Sequence, residues 1–235
     1  MPAKKLPRTD DERINALQKI IDQDELIGLE EAILSISEFH ESRNLLLNFE
    51  GANFCFKQAK EDEQRADKSY IDLFKTAQLY ISHFIQVLNL AIIRKEIKVE
   101  NLSFYGLEDS NEFSVPDLSS EDAVIEWGKR IIDGETNRTA NGGAPIYNPA
   151  ISKVRVHYDL FNEALYSLKI YRKNTIRTQE QLTDARDQID RIIWNTWTKA
   201  EFKYWGLPSE ERKKMFDAYG IHFHHQAGEQ LDAFG

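Results

Sequence analysis

Neutral imidazole is the commonest metal ligand and the usual base near neutral pH, so the six histidines of this 235-residue chain come first in a search for chemistry. His40, His83 and His157 fall in three different stretches of helical pattern. Measured from a shared bundle end at residues 28, 99 and 149, they lie 12, 16 and 8 residues in. At 1.5 Å per residue these depths are about 18, 24 and 12 Å. A spread of about 12 Å is too wide for three ligands of one ion unless the helices are staggered. In the tail, His222 and His224 share one face of a short alternating segment, with His225 on the other, which supplies two ligands but no complete site. The blander expectation makes His40 a seam residue satisfied by a polar neighbour, and the others partly exposed flank residues.

Cys55, the single cysteine, stands between Phe54 and Phe56 with no adjacent base. That setting predicts a buried, inert thiol and excludes an internal disulfide or an all-cysteine zinc centre. No phosphate-binding glycine loop, nucleophile elbow, H-E-x-x-H or EF-hand loop is present. No histidine has Glu three residues before it, as a di-iron carboxylate bundle requires. No cofactor is therefore expected. The residues favour a non-enzymatic protein-binding or assembly protein, with a His-liganded metal-binding bundle or metal-dependent enzyme as the alternative.

The charge is more informative once located. Of the net charge of -9, residues 100 to 135 carry -8, from ten acids that include Glu108, Asp109, Glu112 and Asp117 and only two bases, Lys129 and Arg130. An acidic segment of this density can steer a basic partner, so those four acids are candidate partner-binding residues. Trp194 and Trp205, which point away from the apolar stripe of their helix, are the other two. No Lys/Arg stripe with interleaved aromatics suggests nucleic acid. The richest apolar stretch, Leu79 to Ile93, is broken by Gln86 and Asn89, so no membrane span is expected. A charged N-terminal stretch without an apolar run predicts a cytoplasmic location. The expected partner is a protein or a second copy, and a small-molecule ligand is left open.

The elements that must position these residues are helices. Prolines fall at 2, 7, 116, 145, 149 and 208, leaving two long windows free of the strongest helix breaker. In the first, Leu29, Ile33, Ile36, His40, Arg43, Leu47 and Phe54 form one apolar-period stripe, and Leu45, Phe49, Ala52, Phe56 and Ala59 an adjoining one. Apolar residues lapse over 61–69, predicting a turn near residue 65. Tyr70, Phe74, Ala77, Ile81, Phe84, Leu88 and Ala91 form the next stripe. In the second window, stripes through Val154, Phe161 and Leu168 and through Leu182, Ile189 and Trp197 flank a lapse near residue 176, where Thr178 to Gln181 resembles a capping box.

This spacing predicts an all-α, up-down-up-down four-helix bundle of two helical hairpins, with a long acidic crossover and a short C-terminal helix plus tail. The expected boundaries are a disordered N-terminus over 1–10 and a single bundle domain over 11–235. Within it lie hairpin 1 (26–100), the acidic crossover (100–148), hairpin 2 (149–205) and the C-terminal helix and tail (206–235). Neither turn contains Gly or Pro, so a continuous two-helix coiled hairpin is the alternative. Short helices are expected from Thr9 or Asp10, from Ser119 or Ser120 to Gly134, and from Ser209 to Gly220, with a strand from the tail against residues 102 to 115. The like endings Phe104 to Leu107 and Tyr204 to Leu207, with glycines 100 positions apart, hint at duplication.

Overall fold

The structure is a computed structural model that describes residues 4–28, 30–107 and 114–223. It is all-α: α1 (Asp10–Ile27), α2 (Ile36–Ile93), a 3-10 turn (Val99–Tyr105), α3 (Glu121–Ala140), α4 (Ile151–Tyr204) and α5 (Ser209–Ala218). Among the described residues, β pairing is limited to two isolated bridges, Lys4 with Phe223 and Tyr147 with Ala150. Phe223, at the start of the tail, therefore pairs with the N-terminal segment, while the rest of the tail and residues 108–113 lie outside the described residues. Lys4, from the stretch expected to be disordered, also reaches Glu201 at 2.5 Å.

The breaks expected near residues 65 and 176 are absent, because α2 and α4 run straight through them. Glu61 to Lys68 lacks apolar residues other than Ala66, yet it consists largely of good helix formers. Its charges also find partners: Arg172 of α4 lies 3.0 Å from Asp67 and 4.0 Å from Glu63. Thr178 does not cap a helix; its hydroxyl donates to the carbonyls of Asn174 and Thr175 within α4. The start of hairpin 1 also shifts. Residues 28–35 form a connector, and α2 begins at a reciprocal cap in which Ser35 and Glu38 bond each other's backbone N–H. At α3 the expected stop at Gly134 is a point of close packing: a Cβ there would stand 2.6 Å from the Phe104 carbonyl oxygen and from the Tyr105 ring.

The chain divides into two compact units. Unit 1 comprises residues 1–60 and 174–235, and unit 2 comprises residues 61–173. The unit 1 core joins Leu17, Ile20 and Ile21 of α1 to Leu46 and Phe49 of α2, Ile189, Ile193 and Trp197 of α4, and Phe216 and Tyr219 near α5. The unit 2 core joins Ile81, Phe84, Ile85 and Leu88 of α2 to Val124 and Ile131 of α3, Phe161, Leu165 and Leu168 of α4, and Leu102 and Tyr105. Of the two apolar stripes at the start of α2, the first is not the buried one. His40, Arg43, Leu47 and Phe54 are exposed, and the adjoining stripe through Leu45, Phe49 and Ala59 is buried. Cys55, one residue off that buried arc, is an exposed thiol and not a buried one.

The two units have the same parts. Thr9 and Ser120, 111 positions apart, are the N-caps of α1 and α3. The run Lys19-Ile-Ile-Asp22 of α1 recurs at that spacing as Arg130-Ile-Ile-Asp133 of α3. Along the long helices the spacing is 112, and burial follows it: Phe49 and Phe161, Ala77 and Ile189, Ile81 and Ile193, Ile85 and Trp197, Ile92 and Tyr204 are all buried. At the ends it is 114, where Tyr105-Gly-Leu107 answers Tyr219-Gly-Ile221. Gly106 and Gly220 both take left-handed backbone, with φ of 68° and 72°. The N–H after each glycine returns to the carbonyl five residues back, from Leu107 to Leu102 and from Ile221 to Phe216. Gly206, expected as the partner of Gly106, is not among the left-handed glycines. The chain thus carries an internal repeat of matching elements at a spacing of 111 to 114. Each unit combines the short helix and first half of the long helix of one repeat with the second half and terminal turn of the other.

Candidate interaction surfaces

Buried polar groups cluster where each terminal turn meets its short helix. In unit 2, Glu135 of α3 is fully buried and paired with Arg138 at 2.9 Å. The Tyr105 hydroxyl donates to Glu135 at 2.5 Å, the Ile146 N–H donates to it at 2.9 Å, and Arg138 also reaches the Ala144 carbonyl. In unit 1 the equivalent carboxylate is Asp24 of α1, which accepts from the Tyr219 hydroxyl at 2.6 Å and from the N–H groups of Ile33 and Leu34. Burial, and then the carboxylate each one faces, push the phenols of Tyr105 and Tyr219 far above the ordinary tyrosine range. These tyrosines stay neutral donors. Among the described residues neither cluster holds a buried side-chain polar atom without a hydrogen-bond partner, so they serve as clasps that hold the connector and the terminal turn against the short helix.

The outer faces of α2 and α4 differ between the units. In unit 1 an open groove is lined by Glu41, Asn44, Leu45 and Asn48 of α2 and by Gln188, Arg191 and Ile192 of α4. Shifted by 112, the same positions in unit 2 are Lys153, Val156, His157 and Leu160 of α4 and Thr76, Leu79 and Tyr80 of α2. His157 and Tyr80 stack there with ring centroids 4.0 Å apart, which sets the two helices side by side at that level. Where unit 1 has amides and a guanidinium, unit 2 exposes Leu79 at 62%, Val156 at 54% and Leu160 at 41%, with Leu90 and Ile170 also exposed along the same faces. Sequence reasoning missed these residues. The signal was there as a second stripe on α4 at positions 153, 156, 160, 163, 167 and 170, an alternating three-and-four spacing outside the core stripe.

The residues singled out from the sequence scatter. His40 and His83 are exposed, half-buried His157 stacks on Tyr80, and the backbone carbonyl of exposed His222 accepts from the Lys5 N–H. His224 lies outside the described residues. Among the described residues, no group of three or more His, Cys, Asp and Glu is placed to hold a metal ion. Of the four acids, Glu108, Asp109 and Glu112 lie outside the described residues. Asp117 is exposed, its carboxyl held below the usual range by the Ser119 N–H and hydroxyl. The crossover is more than an acidic insertion, since α3 supplies part of the unit 2 core. Trp194 and Trp205 are both nearly half exposed, with Lys4 and Arg212 lying over their rings at 4.4 and 5.1 Å. Phe202, at 88%, stands open between them in sequence.

By length and composition α2 could cross a membrane, yet Ile81, Phe84, Ile85 and Leu88 spend its most apolar face on the unit 2 core. Searches of protein-family models, of curated proteins and of solved structures each find no match to this chain.

Proposed function

We propose that this chain is a non-enzymatic protein-binding or assembly protein whose contact surface is the outer face of α2 and α4 in unit 2. The observation that supports this reading is the exposure of Leu79, Val156 and Leu160 on neighbouring helices at positions where the other repeat carries Arg191, Asn44 and Asn48. The frame does not require apolar residues there, because unit 1 does without them. Covering each half-exposed Val or Leu would contribute about 1 kcal/mol, so such a face favours a macromolecular partner. Trp194, Phe202 and Trp205 of unit 1 are a second exposed aromatic surface under the same reading. The acidic residues Glu108, Asp109, Glu112 and Asp117 would govern encounter rate with a basic partner more than residence time.

The test transplants unit 1 chemistry onto unit 2. Wild-type chain and the Val156→Asn/Leu160→Asn variant are immobilised and exposed to native extract. The reading expects a protein, another copy included, that the wild type retains and the variant loses. Identical retained sets would overturn it.

A further inference from the structure

The apolar stripe on α4 carries its own charge pattern. Lys153, Val156, Leu160 and Glu163 recur at the three-and-four spacing of a helix–helix seam, and all four are exposed apart from partial cover at the apolar pair. Lys153 and Glu163 make no ion pair among the described residues. The order is self-complementary under reversal, since Lys153 with Glu163, and Val156 with Leu160, share one midpoint at residue 158. We infer that the occupant of this face is a second copy of the chain, packed antiparallel along α4 about that midpoint. Lys153 then faces the partner copy's Glu163, and Val156 packs on the partner copy's Leu160, twice by symmetry. An isologous contact of this kind needs one patch that fits itself. From Lys153 to Glu163 the self-complementary stretch spans about 15 Å of helix, with Leu79 of α2 alongside. The corresponding stripe of the other repeat reads Glu41, Asn44, Asn48 and Gly51, which has neither the apolar pair nor the opposite charges.

This inference rests on the proposed docking face, and its test separates the two. Sedimentation equilibrium is run on the full chain, on Lys153→Glu, on Glu163→Lys and on an equimolar mixture of the two variants. The expected result is a wild-type dimer at tens of micromolar, each single variant weakened at least about tenfold by like charges placed opposite one another, and recovery in the mixture. Recovery also excludes misfolding as the cause of loss. A monomeric wild type, single variants that dimerise as the wild type does, or a mixture without recovery would overturn the pairing. A monomeric wild type that floats with phosphatidylcholine vesicles, or that retains a different protein lost by Val156→Asn/Leu160→Asn, would overturn the second-copy occupant and keep the docking face. Loss of neither kind would overturn both.

Discussion

Unit 1 and unit 2 are built from equivalent parts, yet they differ in two places: the chemistry of the buried clasp and the polarity of the outer face. The clasp of unit 2 is ionic, with Arg138 against Glu135, whereas Asp24 in unit 1 is held by a tyrosine and two backbone N–H groups. Where the groove of unit 1 carries Asn44, Asn48 and Arg191, unit 2 exposes Val156, Leu160 and Leu79. Two copies of one frame act as an internal control. Features present in both, such as the buried Phe49 and Phe161 or the left-handed Gly106 and Gly220, serve the fold. An exposed apolar residue present in one copy alone, outside both cores, is not required by the frame.

The largest effect should come from breaking the ionic clasp. Arg138→Leu leaves the Glu135 carboxylate buried without its cation and should lower stability by about 3–5 kcal/mol, as read by chemical denaturation. Removing a hydroxyl is milder. Tyr219→Phe takes from Asp24 one of three donors and should cost about 1–3 kcal/mol, with Tyr105→Phe nearer the lower end because Arg138 still holds Glu135. A larger loss for Tyr105→Phe than for Tyr219→Phe would mean that Arg138 does not hold Glu135 once the hydroxyl is gone.

One pH effect in unit 1 should have no counterpart at the equivalent position of unit 2. The Glu38 carboxyl is held down to about 2, first by the Lys199 ammonium and then by the Ser35 N–H. The residue 112 positions on is Ala150, which cannot titrate. Glu38 has a lower pKa folded than unfolded, so its stabilising contribution is present above the ordinary glutamate range and is lost as pH falls from about 4.5 towards 2. Denaturation across that window should show wild type losing stability relative to Glu38→Gln, with the two curves converging at the acid end. Parallel curves would contradict the assignment.

The smallest effect on stability is expected at the outer face. Val156→Asn/Leu160→Asn should change the thermal midpoint by less than the equivalent of about 0.5 kcal/mol per site. A large drop would mean that these side chains are core after all.

The helical class, helix starts near Thr9 or Asp10 and near Ser119 or Ser120, and three of the four apolar stripes are legible from residue types and periodicity. The first stripe of α2 was not, because two apolar rows lie side by side there and only packing against α1 and α4 selects Leu45, Phe49 and Ala59. The continuity of α2 and α4 was masked by the lapse of apolar residues at 61–69 and 172–180. A lapse in burial pattern is not a lapse in helix, because Glu, Gln, Lys and Arg sustain a helix well. The distinction is measurable: spin labels at Glu61 and Lys75, both within unit 2, should lie about 21 Å apart in a continuous helix. A separation near 10 Å would restore the turn. Duplication was visible as a hint but at the wrong spacing, because Gly206 resembles Gly106 in its neighbours while Gly220 matches it in backbone. The apolar face was missed for a different reason. An exposed Val or Leu stands out only once the equivalent position in the other repeat is known to be Asn.

The central claim, that the outer face of unit 2 and not that of unit 1 is an interface, can be tested at one pair of equivalent positions. In a Cys55→Ser background, Val156→Cys and Asn44→Cys place single thiols 112 residues apart on corresponding sites, and their alkylation rates are compared in dilute buffer and in concentrated native extract. The account predicts that the thiol at 156 becomes selectively protected in extract, several-fold more than the thiol at 44. Equal slowing at both sites, or protection at 44 alone, would contradict it.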